Sequence, residues 1–598
     1  MSAPTAPNGP IRPAGRSLAE FGSRRPAEEK LLAACRLGRS AEIGAVRPEQ
    51  SNQDNSIRAE FLRFLALGGD ERAPVHEHGV QVAGAWIEGE LDLEAATVTS
   101  PLTLFICHFD APPIFRDARI AGTLNLEGCK LPGLAGNRMV CEGSVFLRNG
   151  FVATGIVNLH SARITNNLAC SHANFSIDLS NAREDDPSTW IAFCAQSAVI
   201  GGGAFLNDRL NVVGEVQLLN IQVGGDMDFR AAILTAAEFG DHPALTADRA
   251  MINGDVFLNR HFVANGRVSL TGAQIEGSLD CSSATLRNEA GPSLVLARVV
   301  IKGALIYLTS SPVTGVSLES CHIGQLIDDE KSWGENIVMD GFSYGGLTGG
   351  APTDPETRLA WLGKQQTDHF KGANFTPQPW QQLIRCLRAM GHIEEARQIA
   401  IRREVHLRDI DRIGQAPSNW NDAFRRIYRL SARGLHRGFG LLADYGYHPL
   451  KLVGWMTCVW LLAGSSYWWA AQNAVFAPSN PLVFDRIDYD HCRPNSDRDN
   501  GKARVGNWYL CPTVPGEYTA FSPLAYSLDL ILPLVDLQQE RDWAPIVPTP
   551  EAAWYVELLA FDRFRSTRLL IWLEFLFGWI ASLLLVAVLS GLTNRDRE

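Results

Sequence analysis

Apolar and polar positions alternate in short, strand-like units along a long middle segment, residues 79 to 328. Three strings of 15 residues, starting at residues 145, 204 and 256, align with one another without a gap. Within each string a Gly-x-apolar-x-apolar unit recurs after 11 or 12 residues, as at Gly254, Gly266 and Gly277. Glycine permits the corner before each strand. The pattern therefore predicts short strands separated by corners at a regular period.

Two such units make a coil of about 23 residues, and stacked coils bury one continuous apolar column. Alternate side chains such as Val268 and Leu270 are expected to point inward, while Arg267 and Ser269 point to water. The segment would give roughly ten or eleven coils of a β-solenoid. An antiparallel sandwich is the disfavoured alternative, because the Asn-Gly pairs fall at equivalent repeat positions rather than between paired strands. The interval 171–201 breaks the pattern and predicts a projecting loop.

The predicted fold is mainly β, a right-handed parallel β-helix or β-solenoid followed by a helical hairpin and two transmembrane helices. The hairpin comprises residues 378–389 and 393–408, and packing of its helices on each other is favoured over packing on the solenoid end. The predicted organisation is a disordered N-terminus 1–26, a helical cap 27–77, a β-solenoid 78–345, a linker 346–375, a helical region 376–448 and a membrane domain 449–598.

Two apolar runs, residues 450–470 and 569–592, are long enough to cross a hydrocarbon core of about 30 Å. Aromatic flanks favour membrane spans over buried helices of a soluble domain. Arginines precede the first run, whereas acidic residues dominate the segment after it. The positive-inside rule then predicts a cytoplasmic solenoid, both termini inside and a non-cytoplasmic loop over residues 471–568. Glu574 is an intramembrane charge, and it either has a function, snorkels to the interface or pairs with Arg568.

The loop contains Cys492 and Cys511, which form a candidate disulfide if the compartment is oxidising. Free thiols at these positions stay an open alternative. The other ten cysteines have no C-x-x-C spacing and are interpreted as reduced, small core residues.

A shorter apolar run in the same loop, residues 521–537, predicts either a re-entrant helix or an amphipathic helix on the outer face, and the second is the simpler interpretation. The potassium-filter motif is absent. Asp485, Asp488, Asp490 and His491 follow no known cation-loop spacing.

Composition excludes some functions. The net charge is −11 and no Lys/Arg block occurs, so binding of nucleic acid is disfavoured. Common nucleotide-binding, metalloprotease and hydrolase motifs are absent. We therefore predict no catalytic, cofactor-binding or metal residues and no cofactor, which favours a non-enzymatic role and leaves an activity open.

Several motifs resemble a group of bacterial membrane proteins related to pentapeptide-repeat proteins. They are GAQIEGSLDC at 272–281, PQPWQQLIRCLRAMGH at 377–392, YGYHP at 445–449 and SLDLILPLVDL at 527–537. The resemblance implies an inner-membrane location and a solenoid. The chain departs from the A-[DN]-L-x-x period of five, and the label of membrane-associated oxidoreductase sometimes given to such proteins has no supporting cofactor motif here.

Three hypotheses follow. The first is a membrane-anchored scaffold, with a lipid bilayer and a protein on the solenoid as partners. The second is a homo-oligomeric two-span channel or sensor. The third is a membrane-associated oxidoreductase, which requires a bound flavin, nicotinamide or metal.

Overall fold

The chain forms two compact units, Met1–Ala400 and Ile401–Glu598. The computed structural model describes residues 17–178, 186–236, 242–372, 374–417, 419–494, 501–513, 518–546 and 562–590. Most of the predicted disordered N-terminus lies outside the described residues.

The first unit is a parallel β-solenoid of about 11 turns. Each regular turn places four short strands in three parallel sheets, because the largest sheet supplies two of its sides. Val140 pairs with Arg163, 23 residues later, which is the predicted coil length. Arg163 pairs with Val199, 36 residues later, so the turn containing the predicted loop is longer than the others. The interval 171–201 is only partly a loop, because it contains three strands of the solenoid, Asn174–Ser176, Ile191–Cys194 and Val199–Ile200; residues 179–185 lie outside the described part.

Most strands are two or three residues long. The 21-stranded sheet contains Ala41–Glu42, Val80–Ala83, Thr97–Val98, Leu102–Phe105, Arg119–Ile120, Leu124–Asn125, Val140–Cys141, Val145–Phe146, Arg163–Ile164, Leu168–Ala169, Val199–Ile200, Ala204–Phe205, Gln222–Val223, Met227–Asp228, Met251–Ile252, Val256–Phe257, Gln274–Ile275, Leu279–Asp280, Val300–Tyr307, His322–Asp328 and Ser343–Leu347. The 10-stranded sheet contains Ser56–Arg58, Trp86–Glu88, His108–Phe109, Lys130–Leu131, Val152–Ala153, Asn174–Ser176, Asn211–Val213, Ile233–Thr235, Val263–Asn265 and Thr285–Arg287. The 8-stranded sheet contains Leu134–Ala135, Val157–Asn158, Ile191–Cys194, Glu215–Gln217, Pro243–Thr246, Arg267–Ser269, Leu294–Val295 and Val316–Ser317. In the second unit, Phe476–Pro478 pairs antiparallel with Trp543–Pro545.

Twelve α-helices occur in the described residues. They are α1 Pro26–Leu37, α2 Ala59–Ala66, α3 Pro355–Gly363, α4 Thr367–Phe370, α5 Gln378–Ala389, α6 Ile393–Asp409, α7 Asp422–Ala443, α8 Pro449–Gln472, α9 Pro481–Phe484, α10 Pro523–Ile531, α11 Gln539–Asp542 and α12 Arg563–Leu589. Short 3₁₀ helices occupy Leu18–Phe21, Pro187–Trp190, Asp444–Gly446 and Ile487–Cys492.

The N-terminal end of the solenoid is covered by α1 and α2. Glu28 in α1 is fully buried and accepts hydrogen bonds from the guanidinium of Arg58, at 2.8 and 2.7 Å, and from the amide of Arg25. Residues 56–58, which lie within the predicted helical cap 27–77, form a strand that pairs with Trp86–Glu88. Part of the predicted helical cap therefore extends the sheet.

The segment 346–375, predicted as a linker, contains α3 and α4. Arg358 from α3 is buried and forms a bidentate ion pair with Asp328, with both N–O distances at 2.8 Å. Trp333 donates to the same carboxylate at 2.8 Å. The helix therefore closes the last turns of the solenoid.

Helix α5 packs on the last solenoid strand, Ser343–Leu347. The amide of Gln382 donates to the carbonyl of Tyr344 at 2.7 Å, and that of Gln378 donates to Phe342 at 2.9 Å. The prediction favoured packing of the two hairpin helices on each other and did not include the contact of α5 with the sheet. The reason is that the exposed strand edge leaves backbone carbonyls for which these glutamines are donors.

Candidate functional site

Helix α10 lies between α8 and α12 in the second unit, and two glycines permit the close packing. A Cβ atom on Gly578 would lie 2.5 Å from the carbonyl oxygen of Ile531, and one on Gly464 would lie 2.7 Å from a methyl of Leu524. Small residues at such crossings let helix backbones approach closely. The run 521–537 therefore forms a short helix packed against both long helices rather than a helix lying free on a surface.

A buried polar cluster, Tyr467, Ser527 and Glu574, joins the three helices. The hydroxyl of Tyr467 donates to Oε2 of Glu574 at 2.6 Å, and Oγ of Ser527 lies 2.5 Å from Oε1. Glu574 is 1% exposed. It neither snorkels nor pairs with Arg568, whose guanidinium lies over the ring of Trp572. Neither the snorkelling of Glu574 nor its pair with Arg568 is therefore present in the structure.

The cluster can hold its carboxyl group in either protonation state without leaving a polar atom unpaired. Ser527 has a single hydroxyl proton and two acceptors in reach, Glu574 and the carbonyl of Trp460 at 3.0 Å. With an ionised Glu574 the proton is donated to Oε1. With a protonated Glu574 the carboxylic proton is donated to Ser527, which donates onward to Trp460. Sequence spacing gave no signal for Ser527 or Tyr467, which are 47 and 107 residues from Glu574.

The outer surface of the same helices is apolar. Among the described residues one helix, α12, is long and apolar enough to cross a membrane. Only 17% of its apolar stretch of 18 residues is buried. Two such helices were expected. Helix α8 covers the other predicted span and has the length, but its four tryptophans, two serines and two glycines lower its mean hydropathy. The exposed apolar side chains are Leu450, Val453, Trp455, Leu461, Leu462, Trp468 and Trp469 on α8 and Leu569, Trp572, Leu573, Phe575, Leu576, Trp579, Ile580, Leu583, Val586 and Leu589 on α12.

A groove of about 480 Å³ opens beside Tyr467 between α8 and α12. Four hydroxyl side chains line it, and each donates to a carbonyl of its own helix. They are Ser465, Ser466, Ser566 and Thr567. Because these donors are already used within the helices, the groove offers hydroxyl oxygens as acceptors and little else to a polar ligand.

The segment between the two long helices contains a disulfide between Cys492 and Cys511, whose Cα atoms are 5.6 Å apart. Nε2 of His491 lies 3.6 and 3.7 Å from the two sulfurs and 2.9 Å from Oγ1 of Thr513. His491, Cys492 and Cys511 could hold a metal ion only if both cysteines were reduced to thiolates, because a disulfide sulfur does not replace a thiolate as a metal ligand. The structure therefore assigns the sulfurs to a crosslink.

The acidic residues near this disulfide lie against arginines, two of them against the same one. Asp485 and Asp488 are exposed and pair with Arg493 and Arg486, whereas Asp490 is buried, with Nε of Arg493 at 3.5 Å. A second group of three metal-ligand side chains, His76, Glu77 and His78, lies in the first unit, largely exposed. The consecutive residues His76, Glu77 and His78 are visible in the sequence. Exposed clusters of potential metal ligands such as this one are common in proteins without a bound ion.

The remaining ten cysteines are free, and nine of them are buried. Burial raises the pKa of Cys35 and of Cys321 to about 12. Thiols of this kind stay protonated at neutral pH and are poor nucleophiles. In the residues the structure describes, the nine buried cysteines therefore act as small apolar side chains of the solenoid and helices.

Comparison with known protein families, with curated proteins and with solved structures finds no match. The fold itself is consistent with a pentapeptide-repeat-like solenoid. The chain is thus a β-solenoid repeat protein with a C-terminal apolar helix suited to a membrane.

Proposed function

We propose that the protein is a membrane-anchored scaffold whose β-solenoid binds a protein partner in the cytoplasm. The observation that carries the proposal is the exposed apolar surface of α8 and α12 around a buried polar cluster. In water such a surface would be unfavourable, since soluble proteins rarely expose apolar patches larger than a few hundred Å². In a bilayer the same surface is solvated by lipid, and the polar residues are correctly placed inside.

The proposed topology has both α8 and α12 crossing the inner membrane of a bacterial cell, with both termini in the cytoplasm. Arg425, Arg426 and Arg429 lie before α8, and the positive-inside rule favours the cytoplasm for that side. The disulfide between the helices supports a non-cytoplasmic position for 471–568, because disulfides persist in oxidising compartments.

The proposed partner surface is the outside of the solenoid, which we expect to be a right-handed coil. Repeat proteins use such extended surfaces for binding, and excursions from the repeat are common contact points. The net charge of −11 disfavours nucleic acid as that partner.

A second candidate function, an oligomeric two-span channel or sensor, has one observation in its favour. Helix α10 is packed between the two long helices, and the segment after it is exposed, with Leu534 at 94%. A second copy of the chain would cover this segment. The carboxylate of Asp529 holds it in place by accepting from the amides of Leu537 and Glu540 at 2.7 and 3.0 Å.

The first test is the membrane topology of the full-length protein. We expect it to resist alkaline carbonate extraction, and protease added to intact spheroplasts to cut only between α8 and α12. Leu576→Arg with Leu583→Arg, at exposed sites on α12, should release the protein, whereas Leu37→Arg with Val46→Arg, also exposed apolar sites, should not. Extraction of the wild-type protein by carbonate would overturn membrane anchoring.

The second test separates scaffold from channel. Full-length protein in liposomes is assayed for ion flux and for mass in mild detergent. A scaffold gives no flux and captures a cytoplasmic protein through crosslinks placed on the solenoid. Flux that depends on the exposed segment 532–537 would replace the scaffold by the channel.

A further inference from the structure

Helix α7 is strongly amphipathic, and its apolar face is uncovered. Five large apolar side chains along its 22 residues are between 60% and 78% exposed. They are Phe424, Ile427, Leu430, Leu435 and Leu441. At 100° per residue these positions fall on one side of the helix. Over its length of about 33 Å, the helix therefore presents a continuous apolar stripe to its surroundings.

Arginines occupy the opposite side and the borders of this stripe. They are Arg425, Arg426, Arg429, Arg433 and Arg437. Arg433 pairs with Asp411 and His436 lies 3.4 Å from Glu404, so part of the polar side faces neighbouring residues of the same unit. Arg426, Arg429 and Arg437 are exposed. An apolar face bordered by arginines is typical of helices that lie in a membrane interface, because the long side chains reach the headgroups.

The turn between α7 and α8 fixes this helix beside the proposed membrane span. Asp444 at the end of α7 accepts from Nζ of Lys451 at 2.8 Å and contacts His448 at 3.0 Å. The indole of Trp455 lies 3.3 Å from the carbonyl of Leu441. The apolar stripe of α7 is therefore connected directly to the apolar surface of α8.

We propose that α7 lies on an anionic phospholipid surface, with its apolar stripe at the acyl boundary and its arginines bound to headgroup phosphates. The inference rests on the proposed membrane anchoring. Charge complementarity selects the occupant, since the exposed Arg426 and Arg437 at one border of the stripe, together with Arg429 on the polar side, match a negatively charged leaflet. Continuity with α8 brings that leaflet within reach of the helix.

The test uses the full-length protein in nanodiscs of phosphatidylcholine alone or with about one-third phosphatidylglycerol. Nitroxide labels are placed by Leu435→Cys or Arg426→Cys in a Cys458→Ser background, because Cys458 is the one exposed free cysteine among the described residues. The label at 435 should be more accessible to oxygen than to a water-soluble nickel complex. The label at 426 should show the reverse.

Hydrogen exchange of residues 422–443 measures the contribution of the arginines. Protection should be higher with anionic lipid, and it should fall by about fivefold for each arginine removed in Arg426→Gln, Arg429→Gln and Arg437→Gln. A matched triple variant, Arg36→Gln, Arg385→Gln and Arg402→Gln, removes the same charge from exposed helical sites elsewhere and should leave this protection unchanged.

The outcomes separate the two proposals. Loss of the protein from the nanodisc overturns both the anchoring and the lipid-bound helix. Retention of the protein with an aqueous label at 435 overturns the lipid-bound helix alone. Equal protection in neutral and anionic discs, unchanged by the arginine substitutions, overturns the choice of anionic lipid. Protection that requires a bound protein would assign the stripe to a protein partner instead.

Discussion

Removal of Arg358 should destabilise the solenoid strongly, because it leaves a buried carboxylate without its charge partner. The side chains of Arg358 and Asp328 are 2% and 1% exposed, and two hydrogen bonds of 2.8 Å join them. Nε of Arg358 also donates to the carbonyl of Pro352 at 2.7 Å. Breaking a buried pair by removing one partner costs about 3–5 kcal/mol. We expect a loss of this size for Arg358→Ala.

A double variant tests whether the charge, rather than the packing, is responsible. In Asp328→Leu with Arg358→Met no charge is buried, and such replacements of ion pairs are often neutral or stabilising by about 1–4 kcal/mol. Trp333 and Pro352 would each lose a hydrogen-bond partner, at about 1–3 kcal/mol apiece. The opposing contributions are similar in size. The double variant should therefore be more stable than Arg358→Ala.

The assay must report on the solenoid rather than on the whole chain, because the chain forms two units. Hydrogen exchange of Val300–Tyr307 and His322–Asp328 in the full-length detergent-solubilised protein, measured against urea, gives the free energy of opening for the last turns. A loss below about 1 kcal/mol for Arg358→Ala, or a double variant less stable than this single one, would refute the reasoning.

Three further predictions concern other parts of the chain. Gly224→Ala should lower the free energy of unfolding of the solenoid, measured with urea, by about 1–3 kcal/mol, because its Cβ would lie 2.1 Å from a carbonyl oxygen of the previous turn, whereas Gly346→Ala, with nothing within 4 Å, should change this free energy by less than about 0.5 kcal/mol. Burial opposes ionisation of Glu28, but its arginine and backbone hydrogen bonds prevail and lower its pKa below the ordinary 4.5. This stabilisation is present above that value and lost as the pH falls below it, so the protection of α1, taken as exchange relative to the intrinsic rate at each pH, should fall on acidification, and less so in Glu28→Gln. Glu574→Leu should lower the thermal midpoint in detergent, because the hydroxyl of Tyr467 loses its acceptor, at about 1–3 kcal/mol, while Ser527 can still donate to the carbonyl of Trp460; Glu574→Gln should retain most of the stability. Equal midpoints for these last two variants would contradict the role of the polar cluster.

The solenoid was predictable because its determinants are local and repeated. Val268 and Leu270 are buried as the alternation predicts, and the coil length follows from the spacing of the units. Ser269 is the exception: it was expected at water, but it is buried, and its hydroxyl lies 2.5 Å from Oδ1 of Asp248. A side chain on the outer face can be buried by its neighbours in adjacent turns, and no single unit contains that information.

The end of the solenoid was less predictable, because its composition and its helix signals disagree. The Gly- and Pro-rich segment before α3 indicated a linker, yet Asp354 caps the helix by accepting from the amide of Thr357 at 2.9 Å, and Pro355 follows at its first position. These are ordinary helix-start residues. A stacked repeat needs its terminal turn covered. That requirement, applied together with the cap, would have favoured a helix over a linker.

The polar cluster of the helical unit illustrates what sequence patterns alone do not contain. A single charge in an apolar run identified Glu574 as unusual, but its partners are determined by how α8, α10 and α12 cross. Glycines at 464 and 578 permit those crossings, and the closeness of the helices then brings Ser527 and Tyr467 to the carboxylate. The hydrogen bonds of the cluster are satisfied with or without a proton on Glu574, so neither state leaves a donor or an acceptor of these side chains unpaired. A protein that is only anchored by two spans does not need a carboxyl group that is hydrogen-bonded in both protonation states. A measurement of whether Glu574 gains and loses its proton therefore helps to distinguish a scaffold from a sensor.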